Sequence, residues 1–208
     1  MNVFFIVIRK IINAPRKFRC VFYYYWNKII FRIKGISFGK NLRVSSSLYV
    51  RKGVNSEITI GDNLTFTSGE CFNPLCRNVR GCIVTEPGAS IIIGNNVGMS
   101  SSCIWSHLKI IIGNRVNIGG DCILMDCDAH SLNYLDRRNY QLDKVNKKDS
   151  PISIGDDVLI GAKCIILKGV TIGERSVIGS GSIVTKSIPA DCIAGGNPCK
   201  IIKYLNEE

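Results

Sequence analysis

The stretch "IGDDVLIGAKCIILKGVTIGERSVIGSGSIV", Ile154–Val184, repeats every six residues. Ile154, Ile160, Ile166, Ile172, Ile178 and Val184 are all aliphatic, and glycine follows at 155, 161, 173 and 179. The fifth place of the hexad is small or β-branched at Val158, Cys164, Val170, Ser176 and Ser182. Strands repeat every two residues and helices every 3.6, so neither alone produces this step. A six-residue period predicts short strands joined by tight corners and stacked as coils. The aliphatic residue points to the coil axis, and the glycine suits a corner where a side chain would clash or φ is unusual.

The same step extends outward. Ile36, Leu42, Leu48, Val54, Ile60, Phe66 and Phe72 form one series, Ile93 and Met99 a short one, and Ile112, Ile118 and Leu124 another. The register is lost at about 73–92 and again at 131–150. An ordinary β-sandwich would not keep six consecutive hexads in step. The expected fold class is an all-β solenoid with one protruding loop, 131–150.

Length and charge set further bounds. At 208 residues the chain is one domain with room for an appendage. Twelve of the 27 Lys and Arg lie in residues 1–56, which contain no acid; the remaining fifteen face sixteen acids over 57–208. The net charge of +11 is therefore a property of the front end. Ten cysteines are scattered without a CxxC or a Cys/His cluster at zinc spacing. No secretory leader is expected, since the apolar run Val3–Ile8 is short and no A-x-A-like site follows it. The thiols read as free small apolar residues of a reducing cytosol, and no metal is expected.

Residues 1–34 do not follow the hexads. Large apolar residues mix there with eight Lys and Arg, and Pro15 is expected to split the segment into two short helices. No run approaches the ~20 apolar residues that cross a bilayer. Two uses remain open: an interfacial amphipathic helix on anionic lipid, or a cap on the open end of the solenoid. Nucleic acid is not an expected partner, because no recognition motif accompanies the charge.

The remaining feature is His130, one of two histidines. Six residues beyond Leu124 the repeat calls for an aliphatic, and the sequence supplies His130, flanked by Asp126 and Asp128, where the hexads stop. Loops on rigid scaffolds carry function. Cys127 beside it would be a nucleophile only with a depressed pKa, for which the sequence offers no cause.

The hexads resemble the [LIV]-[GAED]-x-x-[STAV]-x repeat of the left-handed parallel β-helix acyltransferases. "SIVTKSIPADCIAGGNPCKII" (Ser182–Ile202) resembles their C-terminal signature, and "IGGDCILMDCDAHSL" (Ile118–Leu132) the segment around their catalytic histidine. The likeness covers about 36–204 and is nearest the maltose and galactoside O-acetyltransferase branch, especially members that modify bacterial surface polysaccharides. The resemblance implies left-handed coils over 35–204, a homotrimer with sites between subunits, and direct acetyl transfer from acetyl-CoA to a sugar hydroxyl. His130 would be the general base, a role imidazole suits because it titrates near neutrality. Asp126 or Asp128 would orient it, and the Ala162 N–H would receive the oxyanion. Gly161, Ala162, Ser180, Thr185 and Lys186 would border coenzyme A, with Lys200 and Lys203 at its phosphates. Leu159 stands where many relatives have Trp, so the sequence supplies no aromatic wall there, and Ser100 stands where galactoside-type members place Asn, a departure that fits an acceptor different from a simple galactoside or maltose. Ser100, His107, Arg137 and Arg138 are candidate acceptor contacts. The implied location is cytoplasmic, with peripheral contact at the inner membrane face if residues 1–34 bind lipid. Two other readings stay open: an N-acetyltransferase of an amino-sugar nucleotide, and a non-catalytic β-solenoid serving binding or assembly.

Overall fold

The computed structural model describes residues 3–69, 75 and 79–205, with 3–13 described by backbone alone. One helix, α1 (Val3–Ile33), leads into a left-handed parallel β-helix with three walls. Each full coil gives one strand to each wall, so the parallel strands pair with those of the next coil rather than with their neighbours in sequence. The first wall carries Phe38, Ile60, Ile93, Ile112, Ile154 and Ile172 in register. The second stacks Val44, Phe66, Met99, Ile118, Ile160, Ile178 and Ala194. The third stacks Val50, Ile83, Ile104, Leu124, Ile166 and Val184. A final antiparallel strand, Lys200–Tyr204, pairs with Cys192–Gly195 and ends the second wall.

The hexad glycines are corner residues held by close approach. A Cβ on Gly113 would stand 2.5 Å from Asp156 Oδ1 and 2.8 Å from the Gly155 carbonyl carbon of the next coil. Such distances leave no room for a side chain. Cys122, Cys127, Cys164, Cys192 and Cys199 are buried free thiols.

Two expectations need correction. In the first coil the wall residues are Phe38, Val44 and Val50, two places later than Ile36, Leu42 and Leu48. Ile36 and Leu42 are buried as well, because side chains two apart share a face, so alternating aliphatics leave the hexad frame ambiguous there. Val54 lies between strands and is 72% exposed, and Phe72 is outside the described residues. The strand Cys82–Thr85 falls within 73–92, where the six-residue step is lost. Pro15 does not split the front end: α1 runs through it. A proline removes one ladder hydrogen bond without ending a helix whose flanking turns are otherwise held.

The C-terminal half of α1 is held to the first coil. Asn27 Nδ2 donates to Ser46 O at 2.8 Å and Val44 O at 3.4 Å, and Phe31, fully buried, meets Phe38 edge-on. Among the described residues no helix is long and apolar enough to cross a membrane.

Candidate active site

Cys127 and Asp149 form a bridge, and Asp128 N donates to Lys148 O at 3.0 Å, closing the base of the loop. The loop carries a 3-10 turn, Asp136–Arg138, and a short helix, α2 (Tyr140–Asn146), capped by Asn139. His130 follows Ala129, whose φ of 62° belongs to a γ-turn closed by His130 N donating to Asp128 O at 2.7 Å. This backbone is strained for a residue with a Cβ. It leaves the His130 side chain 70% exposed.

The His130 ring is oriented by Asp143. Nδ1 lies 2.6 Å from Asp143 Oδ2, and the other carboxylate oxygen accepts the Ser131 N–H at 2.7 Å. The hydrogen bond from His130, and after it that from Ser131, holds the Asp143 carboxyl below the usual carboxylate range. A carboxylate on Nδ1 fixes the tautomer with the proton there and leaves Nε2 free to accept one.

Neither aspartate expected to orient the ring does so. Asp126 is fully buried and spends both oxygens on a neighbouring corner. It accepts from Ser106 Oγ at 2.8 Å and from the N–H groups of His107, Leu108 and Lys109 at 2.6, 2.9 and 2.7 Å. Three converging amides outbid a more distant ring for a buried carboxylate. Asp128 pairs with Lys168 Nζ at 3.2 Å. Burial pushes the Cys127 thiol up, which removes it as a nucleophile.

A groove of ≈ 400 Å³ runs along the second wall and its corner, and it gathers Ser100, Gly161, Ala162 and Ser180 with Thr65, Thr67, Gly98, Gly119 and Leu159. Thr67 Oγ1 donates to Ser100 Oγ at 2.9 Å. The amides at corresponding corners of the first wall, at Lys40, Asp62, Asn95 and Asn114, are capped by the stacked Asp62, Asn95, Asn114 and Asp156. Among the described residues the Ala162 N–H has no such acceptor. Gly119 keeps the space before it open, because a Cβ there would stand 2.5 Å from Ala162 N. A free N–H over a groove of glycines and small hydroxyl residues can receive developing negative charge.

The other candidates are dispersed. Thr185 and Lys186 are exposed beyond the last strand of the third wall, and Lys200 and Lys203 are exposed on the terminal strand. None of these four lines the groove, and neither does His130. Arg137 donates to Ser131 O at 2.7 Å and so braces the loop, while Arg138 lies over the Tyr134 ring at 5.2 Å. His107 sits at the loop stem, with Nδ1 3.0 Å from Lys147 Nζ, which also contacts both Asp149 oxygens at 2.6 Å. Burial and the Lys147 ammonium lower the His107 pKa. His107, Cys127 and Asp149 bring three ligand atoms within 4.8 Å of one another, and the Lys147 ammonium already pairs with two of these residues.

Asp143, Gly119 and Lys147 escaped sequence reading. Asp143 lies thirteen residues from His130 on an element outside the repeat, and no local spacing links the two.

Residues 151–186 match the family model described as the hexapeptide repeat of succinyl-transferase. Over 124 residues the chain is 42% identical to a Staphylococcus aureus (strain MRSA252) protein named as an acetyltransferase, covering 60% of each chain. The match thus spans less than two thirds of that relative's length. A hexapeptide-repeat acetyltransferase of Vibrio cholerae O1 biovar eltor, solved with acetyl coenzyme A, superposes with a TM-score of 0.52 at 27% identity, over 76% of this chain and 72% of its own. A galactoside acetyltransferase solved with coenzyme A gives 0.50 at 25% identity, over 82% and 65%.

Proposed function

We propose, from the premise that this chain belongs to the hexapeptide-repeat acyltransferases, that it transfers acetyl from acetyl-CoA to a sugar hydroxyl of a bacterial surface glycan. The observation that carries the reading is the His130–Asp143 pair at an exposed loop position, in which the carboxylate holds Nδ1 and the ring's other nitrogen, Nε2, is turned away from it. His130 Nε2 takes the hydroxyl proton as that oxygen attacks the thioester carbonyl. Ala162 N–H receives the oxyanion of the tetrahedral adduct. Collapse breaks the C–S bond, and the imidazolium returns its proton to the departing thiolate, so no acyl-enzyme forms. Asp143 stabilises the charged imidazolium between the two transfers.

The small-residue groove suits the pantetheine arm, with Gly161, Ala162 and Ser180 along it and Lys200 and Lys203 toward the phosphates. The assembly is a homotrimer with sites between subunits. Two observations support this: His130 does not line the Ala162 groove of its own chain, and the loop exposes Leu132, Tyr134, Tyr140, Leu142 and Val145, apolar side chains that suit a contact surface. Ser100, Arg138 and Tyr134 are the proposed acceptor contacts.

The test is an acceptor screen with labelled acetyl-CoA over nucleotide sugars, lipid-linked glycans and amino sugars, run beside His130→Asn. Transfer to hydroxyl acceptors, reduced about 10²–10⁴-fold by the substitution, is expected. Activity within threefold of the parent would sink the base assignment. Transfer confined to amines would move the reaction to N-acetylation, and failure to bind acetyl-CoA would leave a binding module.

A further inference from the structure

Helix α1 has two apolar faces. Asn27 and Phe31 point to the solenoid and are buried, with Cys20, Tyr23, Tyr24 and Ile30 partly buried beside them. On the opposite side Phe18, Phe22, Tyr25, Trp26, Ile29 and Ile33 are exposed, by 46–75%. Their spacing of three and four residues makes one continuous stripe. Such a stripe is larger than scattered surface hydrophobics account for. Phe22 and Trp26 stack at 5.9 Å within it, giving a rigid aromatic surface.

Cations flank the stripe. Arg19 lies over the Tyr23 ring at 5.8 Å, Lys28 over Tyr24 at 3.7 Å and Arg32 over Phe38 at 5.6 Å. These rings hold the charges at the borders of the apolar face. No acidic residue occurs in 1–56 to offset them.

We propose that the outer face of α1 is a docking surface for an anionic lipid bilayer, on which the helix lies flat. The charge decides the occupant. Packing α1 on α1 of a second copy would bring two acid-free basic segments together, whereas anionic headgroups complement both borders of the stripe. The apolar residues enter the acyl boundary, and Trp26 and Tyr25 suit the interface itself. The cap and lipid readings of the front end are thereby not rivals: Asn27 and Phe31 hold the helix to the first coil, and the opposite face meets the bilayer. On the proposed acetyl transfer, docking would hold the enzyme at a surface where lipid-linked acceptors reside.

Flotation of the full chain with vesicles tests this. Phosphatidylglycerol–phosphatidylcholine vesicles should take up at least about tenfold more protein than phosphatidylcholine alone, and salt should weaken the uptake. Phe22→Ser with Trp26→Ser should remove the excess without changing the melting temperature or the mass by light scattering, since both side chains are exposed. Lys28→Glu with Arg32→Glu should reduce it similarly. Equal uptake on both vesicle types, or none, overturns the proposal. So does a change of oligomeric mass in the Phe22→Ser, Trp26→Ser variant, which would give the face to a second copy. Lipid uptake is read without substrate, so its failure leaves the acetyl-transfer reading standing.

Discussion

Asp143→Asn should harm catalysis more than Asp143→Ala, and the order follows from one hydrogen bond. The Ser131 N–H donates to Asp143 Oδ1 at 2.7 Å, and a main-chain amide cannot reverse its polarity. An asparagine at 143 must therefore place its carbonyl oxygen on the Ser131 side. Its NH2 then faces His130 Nδ1, 2.6 Å from the replaced oxygen. Nδ1 becomes the acceptor and the ring proton moves to Nε2, the atom that has to be unprotonated. Alanine leaves Nδ1 to water, and both tautomers stay accessible. The upper bound on the loss is that of the base itself, ~10²–10⁴-fold. The lower bound is the three- to tenfold worth of about one hydrogen bond. We expect kcat to fall about 100-fold for Asp143→Asn and about tenfold for Asp143→Ala, with KM for acetyl-CoA held within twofold in both. Initial rates at saturating acetyl-CoA, with melting curves to verify folding, measure this. Asp143→Asn within threefold of the parent, or Asp143→Ala the more damaged of the two, would refute the tautomer argument.

Three further outcomes are expected. Gly119→Ala puts a methyl 2.5 Å from Ala162 N, and Gly113→Ala puts one 2.5 Å from the Asp156 side chain and 2.8 Å from the Gly155 backbone, away from the groove; both should lower the melting temperature, but only Gly119→Ala should cut kcat, by about 10²-fold. Asp126→Ala strands three amide donors and the Ser106 hydroxyl, so unfolding in urea should show a loss of about 3–5 kcal/mol, whereas a role confined to catalysis would leave stability intact. The His107 pKa is lowered in the folded chain, so the unfolded chain takes up the proton first as pH falls. Stability should be full above about pH 6.5 and decline below it, through the folded value. Differential scanning calorimetry of the parent against His107→Gln checks this, the variant giving the flatter profile.

Some of this was decided by sequence alone. In 154–184 the aliphatic step, the glycines and the small fifth residues agree, and they place Ile154, Ile160 and Ile166 on three different walls. The placement is determined because each coil repeats one local rule and needs only its neighbour to be buried. Where aliphatics alternate over 36–54, two frames satisfy the same burial rule, and only the stacking of Val50 on Ile83 chose between them. The site divides in the same way. His130 stood out in the sequence because it breaks the repeat, whereas Gly161 and Ala162 were singled out only through the family resemblance. Asp126 was misleading, since nearness in sequence to His130 does not show where a carboxylate finds donors, and the amides of 107–109 claimed it across a turn of the coil. Asp143 came to the imidazole only through the folding of a loop that has no period. A carboxylate's partner is set by which donors converge on it in space, and that convergence belongs to the tertiary structure.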